Sequence, residues 1–276
     1  MASRIRVFTS ALYLTTSGVV RGSSGTLVID PNLLPREIET LRWYVEQSGT
    51  PAKYLVYTHH HWDHILGGQA FPGARRLAQR GFPAAVRAAQ AEAAIHRFDA
   101  EYYLFREPPF EFQPPHELVD DGWAGELGDV EFRLLHLPGH APDMLGVHLP
   151  AEQTLFAADM LSDIELPMIE GDGGDYLASL RKVDALVASG QVETLIPGHG
   201  RVTHGADAIR ARIAEDIAYL DRLRIVIGGQ LGEGVDEAST VAACQSMDYR
   251  GKAGWPPMQR AHEENVREIY KALAVG

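Results

Sequence analysis

Apolar positions along the chain change period several times, and the changes outline its elements. Short apolar runs at Ile5 to Phe8, Leu12 to Thr16 and Leu27 to Ile29, broken by a Gly/Ser turn at 22–25, predict an opening β-meander. After a turn at Asp30-Pro31-Asn32, Leu34, Ile38, Leu41 and Val45 recur at helical spacing until Gly49 stops the pattern. Tyr54 to Tyr57 predicts a short buried strand that runs straight into Thr58-His59-His60-His61-Trp62-Asp63-His64. The alanine-rich stretch Ala84 to Ile95 predicts a helix, continued by Phe98, Tyr102 and Phe105 at i, i+4 and i+7 until a proline-rich extended loop.

Strand patterns return at Val130 to Leu137, Leu145 to Leu149 and Thr154 to Ala158. An amphipathic helix over Tyr176 to Val187, a strand over Thr194 to Ile196 and a tight turn at Pro197-Gly198-His199-Gly200 follow. Helical patterns fill 206–226, 234–247 and 257–274. This order predicts an α/β protein of two β-α halves packed sheet on sheet with helices outside. No repeat or low-complexity linker divides it, so a catalytic domain over 1–225 is expected, with a helical C-terminal extension over 226–276 packed on it.

Composition narrows the function. Apolar residues make up 45% of the 276 and charged residues 22%, which is ordinary for a globular chain able to bury a core without staples. A net charge of -12 disfavours a nucleic-acid partner, which would need a basic stripe. Cys244 is alone, which excludes an intramolecular disulfide and a thiolate zinc cluster. The first 20 residues lack the apolar stretch of a secretory signal, and no run is long enough to span a membrane, so a cytoplasmic enzyme with a small-molecule substrate is expected.

The chemistry concentrates where strands end. Two residues apart on an extended segment, His59 and His61 present side chains to the same side and can grip one metal ion. Asp63 and His64 lie at the turn that follows, where the backbone can redirect them toward a second ion. With Gly67-Gly68 behind it, THHHWDH is followed by LPGH ending at His140, LFAAD ending at Asp159 and PGHG around His199. In order and spacing these motifs resemble the metallo-β-lactamase superfamily, over about residues 10–225. The resemblance implies an αββα four-layer sandwich with two metal ions at one edge between the sheets. It assigns His59, His61 and His140 to the first ion, Asp63, His64 and His199 to the second, and Asp159 to both as the bridging carboxylate.

Two zinc ions per chain are expected, with iron or manganese as alternatives. Two cations sharing an oxygen make water acidic enough to supply a bridging hydroxide near neutral pH, with Asp63 as the catalytic residue that orients it and passes its proton to the leaving group. The expected activity is hydrolysis of an ester-like bond, whether thioester, lactone, β-lactam or phosphoester, because this fold does not fix the substrate. THHHWDH followed by Gly-Gly is similar to glyoxalase II and favours a thioester or ester. An iron-dependent oxidoreductase of the same fold, like the persulfide dioxygenases, is the alternative.

Other residues get plainer expectations. His60 and Trp62 alternate with the ligands and should pack or support them; His136 should either bond to the site or lie in the core. His96, His116, His148, His204 and His262 have no partner by spacing and should be solvated or satisfied structurally. Phe98, Tyr102, Tyr103, Phe105, Phe110 and Phe112 could form helical core, a substrate pocket or a homodimer interface. Asp163, Glu165, Glu170, Asp172 and Asp175 form an acidic run, either a solvated loop or a screen against anions, and Tyr176 is a weak candidate for stabilising an oxyanion.

Overall fold

The structure is a computed structural model that describes residues 4–31, 33–253 and 258–275; Asn32 and Pro257, expected in a turn and at a helix start, lie outside them. One six-stranded sheet runs in chain order through β1 (Ile5–Thr9), β2 (Thr16–Arg21), β3 (Thr26–Ile29), β4 (Ala52–Val56), β5 (Arg75–Gln79) and β6 (Glu117–Val119). The second, also six-stranded, contains β7 (Trp123–Glu126), β8 (Glu131–His136), β9 (Leu145–Leu149), β10 (Thr154–Phe156), β11 (Thr194–Ile196) and β12 (Thr203–His204). Strands β3 to β6 pair in parallel, as do β10 and β11; the other pairs in these sheets are antiparallel.

Strand alternation divides the core into three apolar layers. Val20, Leu27, Ile29 and Val56 meet Phe132, Leu134, Val147, Phe156 and Ile196 between the sheets. Val19, Val28 and Leu55 turn outward onto α1 (Pro35–Gln47) and α2 (Ala84–Glu101). Leu155 and Leu195 face α3 (Gly174–Ala188), α4 (Ala206–Gly232), α5 (Glu237–Cys244) and α6 (Gln259–Val275). This is the αββα sandwich expected from the sequence. A two-stranded hairpin of β13 (Asp248–Tyr249) and β14 (Lys252–Ala253) links α5 to α6. Among the described residues no helix is long and apolar enough to cross a membrane.

Three local expectations need correction, and one strand, β5, had none. Leu12 to Thr16 is not a strand, because Tyr13 and Leu14 take left-handed φ values of 57° and 48° and β2 begins only at Thr16. Strand β5 carries no clear apolar alternation because it opens with two arginines, yet Arg76 is buried and satisfied by the Pro114 carbonyl and His116. Helix α2 ends at Glu101; a left-handed Tyr103 (φ 54°) turns the chain, so Phe105 leaves the helical stripe and stands 79% exposed. Helix α4 does not stop at Val226 but runs unbroken to Gly232, past exposed Ile225 and Val226.

Candidate functional site

The ends of β4, β8, β10 and β11 open onto one edge of the sandwich, and the polar loops leaving them meet there. His59 and His61 follow β4, and a single 3-10 turn over Trp62–His64 then swings Asp63 and His64 sideways. His140 lies in the loop after β8, Asp159 just past β10 and His199 just past β11. Bonds between the two halves close the edge: Leu145 N–H donates to the Thr58 carbonyl at 2.7 Å and Thr16 N–H to the Gly198 carbonyl at 2.7 Å. Gly198 is required because a Cβ there would overlap the Asp159 carboxylate.

All seven residues selected from the sequence come together, in two groups. His61 Nδ1 lies 3.0 Å from His59 Nε2 and 2.9 Å from His140 Nε2. Asp63 Oδ2 lies 3.2 Å from His199 Nε2 and 3.6 Å from His64 Nε2. Asp159 touches both groups, with Oδ2 3.3 Å from His140 Nε2 and 3.4 Å from His199 Nε2, and Oδ1 3.2 Å from His64 Nε2.

A ring of outer contacts aims these nitrogens. His64 Nδ1–H donates to Asp30 Oδ2 at 2.9 Å, His140 Nδ1–H to the Met168 carbonyl at 3.1 Å and His199 Nδ1–H to the Tyr13 carbonyl at 3.0 Å. His59 Nδ1 is held by Thr58 Oγ1 at 3.0 Å. Each contact occupies one ring nitrogen and leaves the lone pair of Nε2 directed into the cluster, as metal-ligating histidines require. Asp30 was expected only in a turn, yet it is the hub here: it also accepts from Thr58 N at 2.8 Å and Thr58 Oγ1 at 2.7 Å. No motif links it to the histidines, and only its place before a proline set it apart.

The cluster fits metal ions better than it fits itself. Ligands about 2.0–2.1 Å from a tetrahedral zinc lie roughly 3.3 Å apart, close to the spacing of the three nitrogens around His61. His64 Nε2 and Asp159 Oδ1 are buried with no hydrogen-bond partner, which is costly unless something else fills the site. Charge gives the same answer. Burial would lower His64, but Asp159, Asp63 and Asp30 outweigh it and raise it well above the ordinary value. Burial is likewise overcome at His199, chiefly by Asp159, and its pKa is raised well above the ordinary value. Burial pushes His140 down to about 4. Burial would raise Asp63, yet His64 and His199 hold it at about 2. The carboxylates thus call for positive charge in the pocket.

The remaining residues sort by their contacts. His60 Nδ1–H donates to Asp143 Oδ1 at 2.6 Å, and Trp62 packs on Phe98 with centroids 4.8 Å apart. His136 bonds to the Pro142 carbonyl at 2.8 Å and belongs to neither group. Tyr176 is buried behind the cluster with its hydroxyl toward the Asp159 carbonyl at 3.4 Å, which is no position for an oxyanion donor. The acidic run is not a uniform solvated loop: Asp163 binds Arg201, Asp172 binds Arg224, and Glu165 is pushed to about 7, mainly by burial. The aromatic segment divides. Phe98 and Tyr102 join Trp62 and Tyr13 beside the cluster, Phe112 stacks on Phe82, and Tyr103 and Phe105 are exposed.

A family model described as the metallo-beta-lactamase superfamily matches residues 12–199. The chain is 29% identical over 210 residues to an acyl-coenzyme A thioesterase, MBLAC2, of Gallus gallus, covering 66% of this chain and 70% of that one. It is 28% identical over 205 residues to a hydroxyacylglutathione hydrolase of Ruegeria pomeroyi, covering 72% of this chain and 68% of the relative. Among solved structures, an inverting sec-alkylsulfatase from Pseudomonas sp. superposes with a TM-score of 0.70 at 16% identity, over 93% of this chain. This chain spans about half the length of that sulfatase, 47%.

Proposed function

The chain belongs to the metallo-beta-lactamase superfamily of metal-dependent hydrolases, and from that premise we propose that it cleaves an ester-like bond, by preference a thioester, at a pair of zinc ions. The observation that carries this reading is the inward aim of the seven side chains together with the partnerless His64 Nε2 and Asp159 Oδ1. His59, His61 and His140 would hold one ion, Asp63, His64 and His199 the other, and Asp159 would span both. Two divalent cations held there make water acidic near neutral pH and polarise a carbonyl oxygen.

The chain's own residues do the rest. Asp30, Thr58, Met168 and Tyr13 keep the imidazoles aimed, so little reorganisation is needed during reaction. Asp63, fully ionised near neutral pH, accepts the proton of the attacking water and returns it to the leaving group. Tyr13, Trp62, Phe98 and Tyr102 form an apolar flank suited to the acyl side of a small substrate. Thioesters are preferred because two of the relatives matched by sequence are named as an acyl-coenzyme A thioesterase and a hydroxyacylglutathione hydrolase. Residues 1–225 would form the catalytic unit and 226–276 a helical extension packed on it, with α4 continuous across the boundary.

Metal analysis of the purified protein, with hydrolysis assays on a thioester, a lactone, a phosphodiester, an alkyl sulfate and a chromogenic cephalosporin, tests the proposal. Two zinc ions per chain and thioester turnover abolished by EDTA are expected. Asp63→Ala should lose about a thousandfold in hydrolysis with its metal retained, which separates proton transfer from ligation. One iron per chain without hydrolysis would overturn the proposal in favour of an oxidoreductase.

A further inference from the structure

His61 meets the seven-residue cluster with Nδ1, so its other nitrogen is turned away from it. That nitrogen, Nε2, lies 3.9 Å from a carboxylate oxygen of Glu170, on the open side of the site. The neighbouring His60 is 3% exposed, and its Nδ1–H is committed to Asp143. Its Nε2 is therefore the lone-pair nitrogen, and it is buried with no hydrogen-bond partner. One ligand atom from each of His60, His61 and Glu170 lies within 4.8 Å of the other two.

A buried lone pair backed by an Asp–His contact, a second imidazole nitrogen and a carboxylate make a donor set for zinc or another divalent ion that favours nitrogen. We propose that His60, His61 and Glu170 hold a further divalent cation, bound more weakly than the pair, with His61 shared between the two sites through its two ring nitrogens. Coordination at His61 Nε2 releases that nitrogen's proton to solvent. Repulsion from the neighbouring ion and the solvation of exposed Glu170 weaken this site, so it fills when zinc is in excess. The inference rests on His61 also serving the first ion of the pair, as read above.

Zinc titration of the EDTA-stripped, full-length protein against a chromogenic chelator tests it. Two tight ions and one weaker ion per chain are expected. Glu170→Gln should keep the first two affinities and weaken the third at least about tenfold. Cobalt added to the two-zinc protein should give a d–d absorption band in the wild type that is absent from Glu170→Gln. Two ions in both proteins, or a third bound equally by both, overturns the additional site and leaves the pair standing. Fewer than two tight ions in the wild type overturns the pair, and with it the shared role of His61.

Discussion

Two of the places where the molecule buries histidine differ in a way that shows what marks a binding site. Under the C-terminal helices, His262 Nδ1 meets the Tyr219 hydroxyl at 2.8 Å and its Nε2 the Cys244 carbonyl at 2.9 Å. Asn265 completes that network, accepting from Ile169 N at 3.0 Å and donating to the Pro167 carbonyl and the Tyr219 hydroxyl. Both nitrogens of this histidine are occupied. At the sheet edge, His64 is equally buried, but only Nδ1 is hydrogen-bonded and Nε2 faces the Asp159 and Asp63 carboxylates at 3.2 and 3.6 Å without a hydrogen bond. Unused bonding capacity, and not burial, separates the two histidines. Around the edge, Tyr13, Leu14, Asp30, Ala158 and Leu161 take left-handed φ values.

Breaking each cluster should therefore have opposite consequences. The largest effect is expected for Asp159→Asn, which should lower hydrolysis by about a thousandfold or more and reduce bound metal. Its EDTA-treated form should nevertheless melt closer to wild type than the next variant does. Asn265→Ala orphans the Ile169 N–H and the Pro167 carbonyl and takes one contact from the Tyr219 hydroxyl, and should cost about 3 kcal/mol in urea unfolding, with metal content and kcat/KM essentially unchanged. If this variant lost metal, or Asp159→Asn proved the less stable apoprotein, the distinction between the clusters would collapse.

A smaller effect sharpens the comparison within the helical region. Burial pushes Asp216 up to about 7, against the pull of the Tyr249 hydroxyl at 2.7 Å and of Arg250. A carboxyl with a raised folded-state pKa favours the fold while protonated, so its contribution is complete below the ordinary value of 3.8 and is lost as pH rises through about 7. Asp216→Asn stays neutral and still accepts from Tyr249. Relative to wild type, it should gain about 2 kcal/mol between acidic and mildly alkaline pH, measured by urea unfolding at both ends. Parallel stability curves for the two proteins would refute this account.

Much of this arrangement was legible in the primary structure because it rests on short-range periodicity. The i, i+4, i+7 spacing of Leu34, Ile38 and Leu41 marked α1, and the short apolar run from Leu27 to Ile29 marked β3. The residues from His59 to His64 stood out because a dense run of ligand-type side chains has few uses. What escaped notice depends on partners far along the chain. Arg76 disguised β5 because its burial is made acceptable by Pro114 and His116, about 40 residues later. Asp30 looked like a turn residue because its role comes from Thr58 and His64.

By itself, then, the order of amino acids determined much of the element pattern, since propensity and period are properties of neighbouring residues, and the likeness of its motifs to a known family pointed to the four-layer class and to seven candidate metal ligands. Only the tertiary structure decided which nitrogen of each histidine faces inward, which carboxylates lack partners, and that Asp30 rather than His136 supports the site. Those outcomes depend on which groups are brought within about 3 Å of one another, and hydrogen bonds and charges act over that range whatever the distance along the chain.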